Sequence, residues 1–378
     1  MYNSFSGQIP LSISNLAKHT HLFLSNDNLN GQLPDSIGNM SQLAFLNLSR
    51  NQLIGPIPLY TIGFSRLTYL DLKTNSLNGI IPSWLFTLPS LVSKELRDNK
   101  LQGQIPGSVY ELVNLTQFLN SLRVLDLSNI NFSGIIPHCL GNFSNSLSVL
   151  NLGMNSFHGT FTVAFKKGSM LRNLNLNGNQ IEGQVLRALL NSEHLDVLDL
   201  GINKINDTFP HWLGTLLELQ WPFANELYEK FEAMMNVDEH AMKLKYMGDI
   251  YYYDYVVVIM KGHEIEFSRI LTILSIIDLS SNKFIGEIPK SVGRLNSLRY
   301  LNLSHNNQKD HIPTSLGNLK NLESLDLSSN KFTSLMFLER IHIENNVVFL
   351  LVEMLPSLLV GRSNILNSMV IKGSHWRY

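Results

Sequence analysis

The chain has 378 residues and a formal net charge of −1, and charged residues make up 16% of it, against about a quarter in average domains. This balance gives no electrostatic reason to expect nucleic acid or an anionic membrane surface as a partner. The single cysteine, Cys139, excludes an intramolecular disulfide and with it a small scaffold held by bridges.

A repeat dominates the sequence from its first residues. The segment LAFLNLSRNQLIGPIP (43–58) returns as LTYLDLKTNSLNGIIP (67–82), which gives the template LxxLxLxxNxLxGxIP. Its asparagine slot returns every 24 residues at first, and twelve coils are visible, the first of them partial. The slots are Asn3, Asp27, Asn51, Asn75, Asn99, Ile130, Asn155, Asn179, Asn203, Asn282, Asn306 and Asn330. A further, degenerate coil fits residues 338–346.

The spacing of the template predicts its structure. Apolar residues alternate in LxL, so they face one side of a short strand. One coil cannot cover its own leucines, whereas stacked coils bury a continuous column and place parallel strands about 4.8 Å apart. An inward asparagine amide can donate and accept where the coil turns. Asp27 can only accept and Ile130 can do neither, so we expect local loosening at both.

These motifs resemble the plant extracellular class of leucine-rich repeats, to which the GxIP element is specific. The resemblance implies an α/β solenoid, a plant-type leucine-rich-repeat superhelix with a concave parallel β-sheet and short helical or 3₁₀ segments on the convex side. We expect about nine coils in residues 1–218 and three coils plus the degenerate one in residues 271–346, with residues 347–378 as a non-repeat tail.

Residues 219–270 interrupt the template. NELYEKFEAMM (225–235) has the apolar spacing of a short amphipathic helix. DIYYYDYVVVIM (249–260) is rich in strand formers and HEIEF (263–267) alternates, which predicts a β-hairpin that turns at Lys261-Gly262. The segment resembles the non-repeat island of plant receptor-like proteins, which are kinase-less cell-surface receptors that include disease-resistance proteins. That resemblance implies a role in recognition for Tyr251, Tyr252, Tyr253 and Tyr255, and the alternative is an insert that only packs over the sheet.

Other features of that family are absent from the sequence. The start, MYNSFSGQIP, lacks the pattern of a signal peptide. The most apolar stretch, residues 347–360, is too short for a membrane span and is broken by Glu353 and Pro356. The family's cysteine-paired caps are also missing, and seven extra residues lie between Asn99 and Ile130. We therefore expect a chain truncated at both ends, which the family resemblance alone assigns to the extracellular face of the plasma membrane.

Enzyme motifs, metal-ligand spacings and cofactor loops do not appear in the sequence. HEIEF has Phe267 where a zinc-protease helix carries its second histidine. His138-Cys139 could suggest a thiol nucleophile, but Cys139 fills a slot that other coils give to serine, which predicts a tolerated surface thiol. We therefore predict a chain that is not an enzyme and that uses no cofactor or metal.

Seven N-x-S/T sequons are candidate glycosylation sites. They are Asn39, Asn47, Asn114, Asn131, Asn142, Asn206 and Asn302. Asn47 and Asn302 lie between strand leucines, so glycans there would bar a protein partner from those coils.

The candidate ligand-binding residues lie beside the strand leucines of the early coils, where side chains should face solvent on the concave sheet. The mixture of aromatic and charged residues is typical of recognition surfaces, although each could be an ordinary solvated strand residue. They are His21, Phe23, Phe45, Arg50, Tyr69, Asp71, Lys73, Glu95, Arg97 and Asp98. Tyr300 and His305 are candidates for a co-receptor surface, by family resemblance only.

The resemblance therefore predicts a non-catalytic recognition module. It would bind an extracellular peptide, glycan or microbial ligand and signal through partner receptor kinases, in defence or development. The alternatives are a secreted leucine-rich-repeat inhibitor of a cell-wall-degrading enzyme, which shares the coils but not the island, and a truncated non-functional product.

Overall fold

The computed structural model describes residues 5–59, 63–105, 121–192, 194–210, 212, 248–249, 252–253, 256–260, 263–267, 275–334 and 350–351. They fall into two compact units, Met1–Leu195 and Asp196–Tyr378, here called unit 1 and unit 2. Strands are numbered in chain order.

The strands centred on the first leucine of the LxL pair form one parallel sheet in unit 1, the LxL sheet. Residues at the same template position pair, as in Leu46 with Leu70 and Leu125 with Leu150. Its strands are β2 His21–Phe23, β4 Phe45–Asn47, β6 Tyr69–Asp71, β8 Ser93–Glu95, β10 Val124–Asp126, β12 Val149–Asn151 and β14 Asn173–Asn175. The template register therefore becomes the strand register.

A second parallel sheet in unit 1, the GxI sheet, is built from the part of each coil around the glycine. Its strands are β1 Ser6–Gln8, β3 Asn28–Gln32, β5 Gln52–Pro56, β7 Ser76–Ile80, β9 Lys100–Gly103, β11 Asn131–Gly134, β13 Ser156–Thr160 and β15 Gln180–Gly183. Gly31 shows why the template needs glycine: its φ is +75°, and a Cβ there would lie 2.7 Å from the Gln8 side chain of the preceding coil.

Short helical segments complete the coils and usually begin directly after the proline of the GxIP motif or one residue later. The one α-helix among the described residues is α1, Trp84–Thr87. The 3₁₀ segments are Leu11–Leu16, Asp35–Asn39, Phe64–Arg66, His138–Asn145, Arg187–Asn191, Lys290–Arg294 and Thr314–Asn318. Cys139 is buried in one of them, so the predicted surface position of this thiol is wrong. The segment packs so closely that a Cβ on Gly141 would lie 2.3 Å from the Ala164 carbonyl oxygen.

A slot asparagine holds the turn of its coil in the predicted way, as Asn99 shows. The amide nitrogen of Asn99 donates to the carbonyl oxygens of Leu72 (3.0 Å), Leu96 (2.9 Å) and Arg97 (3.2 Å). Its amide oxygen accepts the backbone N–H of Leu77 at 3.0 Å. One buried side chain thus joins two consecutive coils, and the predicted dual use of donor and acceptor is confirmed.

The two atypical slots differ from this pattern. Asp27 accepts the backbone N–H of Phe5 at 3.1 Å, as an acceptor-only group can. Ile130 is buried and offers no polar atom to the turn. The local loosening expected at these coils stays a prediction.

Unit 2 has its own LxL sheet, with strands β16 Val197–Asp199, β22 Ile276–Asp278, β24 Tyr300–Asn302, β26 Ser324–Asp326 and β28 Leu350–Leu351. Although β16 and β22 are far apart in sequence, they pair directly, Leu198 with Ile277. Asn282 donates to the Leu200 carbonyl at 2.9 Å and accepts the Ile205 N–H at 3.0 Å. The coil ladder therefore continues across the interruption.

The remaining strands of unit 2 belong to the GxI segments and to the interrupting segment. The former are β17 Lys204–Ile205, β23 Ile285–Gly286, β25 Asn307–His311 and β27 Lys331–Ser334. The latter form two antiparallel pairs, β18 Gly248–Asp249 with β19 Tyr252–Tyr253, and β20 Val256–Met260 with β21 His263–Phe267. The helix predicted at 225–235, the Lys261-Gly262 turn and the degenerate coil at 338–346 lie outside the described residues. Strand β28, which lies in the predicted non-repeat tail, adds a further parallel strand to the LxL sheet of unit 2.

Candidate functional site

The outer face of the LxL sheet in unit 1 carries rows of side chains from the template positions beside the strand leucines, and two of these rows lie on the paired strands themselves. The row before the first leucine runs Phe45, Tyr69, Ser93, Val124, Val149 and Asn173. The row between the leucines runs Phe23, Asn47, Asp71, Glu95, Asp126, Asn151 and Asn175. Rigid backbone pairing holds each row at fixed spacing.

An aromatic ladder, His21, Phe23, Phe45 and Tyr69, lies at the start of this face. The His21 and Phe45 rings stack with centroids 4.5 Å apart and planes 7° from parallel. Phe23 lies 6.4 Å from Phe45, and Tyr69 lies 6.1 Å from it. Phe23 remains 55% exposed and His21 is exposed as well, so the ladder presents aromatic surface to solvent.

A charge network follows the ladder. The Tyr69 hydroxyl donates to Asp71 at 3.3 Å. The Lys73 ammonium donates to Glu95 at 2.5 Å and lies 3.5 Å from Asp71. Lys73 therefore bridges carboxylates on two neighbouring coils.

Burial and mutual repulsion shift the pKa values in this network. Burial raises the pKa of Glu95 to about 7, and the Asp71 carboxylate adds to this effect while Lys73 opposes it. Burial lowers the pKa of Lys73, but the carboxylates of Glu95 and Asp71 outweigh burial and raise it overall. Burial, followed by the same two carboxylates, raises the pKa of Tyr69, so its hydroxyl stays a donor.

Arg97 continues the network on the next coils. Its Nη1 donates to Asp98 at 3.0 Å, and its Nε lies 3.8 Å from Asp126. The Asn129 amide also donates to Asp98, at 2.9 Å. Burial raises the pKa of Asp126 to about 6, with Arg97 and the hydrogen bonds from Ser128 acting against it.

The structure corrects the expected exposure of these residues. Tyr69, Asp71, Glu95 and Arg97 are buried. Lys73, Asp98 and Phe45 are partly buried, whereas His21, Phe23 and Arg50 are exposed. The prediction that the whole set faces solvent is therefore wrong, because charged side chains on adjacent strands lie against one another. The structure separates the set into an exposed aromatic ladder and a buried network.

Lys94 is not among the candidate residues predicted from the sequence, although its position in the template indicates that it is buried. It occupies the strand-leucine slot of its coil and is only 1% exposed. Its ammonium lies 4.0 Å from the centre of the Phe86 ring, and burial lowers its pKa to about 7. Comparing LVSKEL (91–96) with the template would have identified it.

The other predicted residues lie in unit 2. Tyr300 is 3% exposed, so its expected place on a co-receptor surface is wrong; it packs in the row before the first strand leucine, between Ile276 and Ser324. His305 is exposed and has a φ of +52°. Of the tyrosines of the interruption, Tyr252 and Tyr253 lie in β19, and Tyr251 and Tyr255 lie outside the described residues.

The sequons also differ in their surroundings. Asn39, Asn131 and Asn206 are exposed, and Asn47 is partly buried. Asn302 is buried. Asn114 and the side chain of Asn142 lie outside what the structure describes.

In the part of the chain that the structure describes, no cluster of three or more histidine, cysteine, aspartate or glutamate side chains is arranged to hold a metal ion. The same residues include no helix with the length and apolar character needed to cross a membrane.

Comparison with known proteins agrees with the repeat. Family models described as leucine-rich repeat match residues 66–88, 121–143 and 272–332. Receptor-like protein 35 of Arabidopsis thaliana is 36% identical over 215 residues, which cover 48% of this chain and 23% of that protein. Receptor-like protein 43 of the same plant is 38% identical over 200 residues, covering 44% and 28%. The chain thus spans about a quarter of the length of these relatives.

Solved structures agree with the fold. The Arabidopsis receptor kinase HAESA, in complex with the peptide hormone IDA and the co-receptor SERK1, matches with a TM-score of 0.65 and 27% identity. The match covers 93% of this chain and 49% of HAESA. A TDR receptor matches with a TM-score of 0.65 and 21% identity, covering 92% and 54%, which supports the fold alone. The predicted leucine-rich-repeat solenoid is confirmed.

Proposed function

Because the chain is a leucine-rich-repeat protein related to the plant receptor-like proteins, we propose that it is a non-catalytic extracellular recognition module. It binds a peptide on the outer face of the LxL sheet in unit 1. The observation that carries this proposal is the aromatic ladder, since Phe23 and the His21–Phe45 stack offer exposed rings on a rigid sheet. Aromatic side chains of this kind supply much of the energy of recognition surfaces.

The buried charge network supports the ladder rather than contacting the ligand. Tyr69 belongs to both, because its ring lies beside Phe45 and its hydroxyl donates to Asp71. Lys73 then ties Asp71 to Glu95 on the next coil. Side chains fixed in this way before binding lose little conformational entropy when a ligand arrives.

The proposal of signalling partners rests on similar proteins and not on a site in this chain. The HAESA complex contains a co-receptor, and we propose that this chain also acts with partner receptor kinases at the extracellular face of the plasma membrane. Exposed His305 remains a candidate contact, whereas buried Tyr300 does not. The tyrosine-rich segment 249–260 is proposed as a second recognition element.

Selection of a displayed random-peptide library against the whole protein tests the main proposal. We expect enriched peptides whose affinity falls about tenfold or more in Phe23→Ala and Phe45→Ala, the usual effect of losing an aromatic anchor. Ile135→Ala is the matched control, because this side chain is 60% exposed beside the GxI sheet. Selected peptides whose affinity is the same for the wild type and both phenylalanine variants would contradict the proposal. So would a protein that binds no peptide and binds only glycans or microbial extracts.

Deletion of 225–267 separates the receptor from the enzyme-inhibitor alternative. Because β16 pairs directly with β22, the coil ladder can form without this segment. A receptor of the proposed type should lose partner recruitment on deletion. Unchanged recruitment and binding would count against a role for the segment.

A further inference from the structure

We infer that the sequons at Asn47 and Asn302 are structural and carry no glycan, and that, among the other sequons whose side chains the structure describes, Asn39, Asn131 and Asn206 carry glycans. The LxL sheet then stays bare for a protein or peptide partner. The inference rests on the proposed extracellular location, because N-glycans are added in the secretory pathway.

The asparagine side chains of both LxL-sheet sequons make hydrogen bonds within the fold. The Asn302 amide donates to Asp278 at 2.9 Å, and its oxygen accepts the Ser304 N–H at 3.1 Å and the Ser304 hydroxyl at 2.8 Å. At Asn47 the oxygen accepts the Ser49 N–H at 3.0 Å and its hydroxyl at 2.7 Å. In each case the asparagine and the hydroxyl that define the sequon bind each other.

The same turn forms in coils that have no sequon. Asp126 accepts the N–H and the hydroxyl of Ser128 at 2.9 and 2.7 Å, and Asp278 accepts the N–H of Ser280 at 2.9 Å. The bond to the N–H two residues on recurs at Asp71–Lys73, Asn151–Gly153, Asn175–Asn177, Asp199–Gly201 and Asp326–Ser328. Aspartate cannot be N-glycosylated, so the repeat uses this position as a side-chain turn.

The two sequons are therefore a by-product of the template. Where the turn residue is asparagine and the residue two positions on is serine, N-L-S appears without any requirement for a sugar. This explains the match at Asn47 and Asn302 from contacts that every such coil needs.

The folded sheet also has little room for a sugar at these positions. Asn302 is 7% exposed, and a glycan would replace one of the two hydrogens on the buried amide nitrogen that donates to Asp278. Asn47 lies in the row between Phe23 and Asp71, where a sugar would cover the end of the aromatic ladder. Chains modified at either site should fold poorly and be lost before secretion.

The three exposed sequons lie away from the LxL strands. Asn39 ends the 3₁₀ segment Asp35–Asn39, Asn131 begins β11, and Asn206 follows β17. A bulky glycan at an exposed position of this kind needs no rearrangement of the core.

Intact-glycopeptide mass spectrometry of the full chain, secreted from plant cells behind an added signal peptide, tests the inference. We expect glycans at Asn39, Asn131 and Asn206 and bare peptides at Asn47 and Asn302. A glycan on Asn47 or Asn302 of the secreted protein would overturn the first part. Bare peptides at all three exposed sites would overturn the second.

Matched variants separate the turn from the sequon. Ser49→Gly and Ser304→Gly abolish the sequons but keep the backbone N–H, and Gly153 already fills the same slot in another coil. Both should be secreted with unchanged glycan mass, whereas Ser133→Gly should remove one glycan. Loss of a glycan in Ser49→Gly or Ser304→Gly would sink the idea. Glycan occupancy is read without ligand, so failure to find a ligand would count against the proposed function alone.

Discussion

Replacing Lys94 with leucine should stabilise unit 1. Lys94 fills a leucine slot, where its ammonium is held over the Phe86 ring at 4.0 Å within the core. Leucine is the residue that most other coils place here. The substitution removes a charged group from an apolar site and restores the template.

The lowered pKa sets the size of the effect. Burial brings the Lys94 pKa from 10.5 to about 7, a difference that corresponds to a cost on the order of 5 kcal/mol for a charged amine in the core. The contact of the ammonium with the Phe86 ring recovers about 1–2 kcal/mol of this desolvation cost, and leucine would lose that contact. We therefore expect Lys94→Leu to raise the free energy of unfolding by about 3–4 kcal/mol at neutral pH.

The pH dependence provides a sharper test than the gain alone. The folded chain releases the Lys94 proton near pH 7 and the unfolded chain near 10.5. The wild-type protein should therefore become more stable as pH rises through this window, by at most about 1.4 kcal/mol per pH unit. Lys94→Leu should lack this slope.

Urea unfolding followed by circular dichroism, at about pH 7 and about pH 9, measures both quantities. Lys100→Leu is the control, because Lys100 is an exposed lysine in β9. The reasoning is refuted if Lys94→Leu is no more stable than the wild type, or if the variant keeps the wild-type pH slope.

Three further outcomes are expected from urea unfolding. Gln308 fills another leucine slot and is fully buried, and its side-chain amide has no hydrogen-bond partner among the residues described. Gln308→Leu should therefore raise the free energy of unfolding by about 1–3 kcal/mol. Exposed Gln102→Leu should give no comparable gain. Asp310 takes the glycine position of its coil with a φ of +70°, so Asp310→Gly should stabilise by about 0.5–1 kcal/mol, and an unchanged midpoint would argue against strain. Glu95 and Asp126 have pKa values raised from 4.5 and 3.8 to about 7 and about 6. The folded chain binds these protons more tightly, so their contribution should lower stability as pH rises from about 4 to about 7; Glu95→Gln should flatten this fall, and an unaltered profile would contradict it.

The stacking of coils could be predicted from the sequence because it depends on a local pattern. The alternation of leucines fixes which side of a strand is apolar, and the asparagine needs only its own coil and its neighbours. The pairing of β16 with β22 continues this pattern across the interruption. Each of these features needs only contacts within or between neighbouring coils.

Exposure on the LxL sheet could not be predicted in the same way. Whether Asp71 or Glu95 reaches solvent depends on the length and charge of side chains on the same or the neighbouring coil, such as Lys73, and not on position in the template. The same is true of Cys139, whose slot reads as a serine position but lies in a closely packed 3₁₀ segment.

The strand Ser93–Glu95 shows why Lys94 and the charge network must be treated as separate problems. Lys94 and Glu95 are adjacent in sequence, but neighbouring residues of a strand point to opposite faces. Lys94 therefore enters the leucine column beside Phe86, while Glu95 joins the outer row and binds Lys73. A sequence reading that pairs the two opposite charges would place an ion pair where the strand geometry forbids it. The acidic row draws its cations from Lys73 and Arg97 on its own face, so removal of the Lys94 charge should leave the surface that supports the aromatic ladder unchanged.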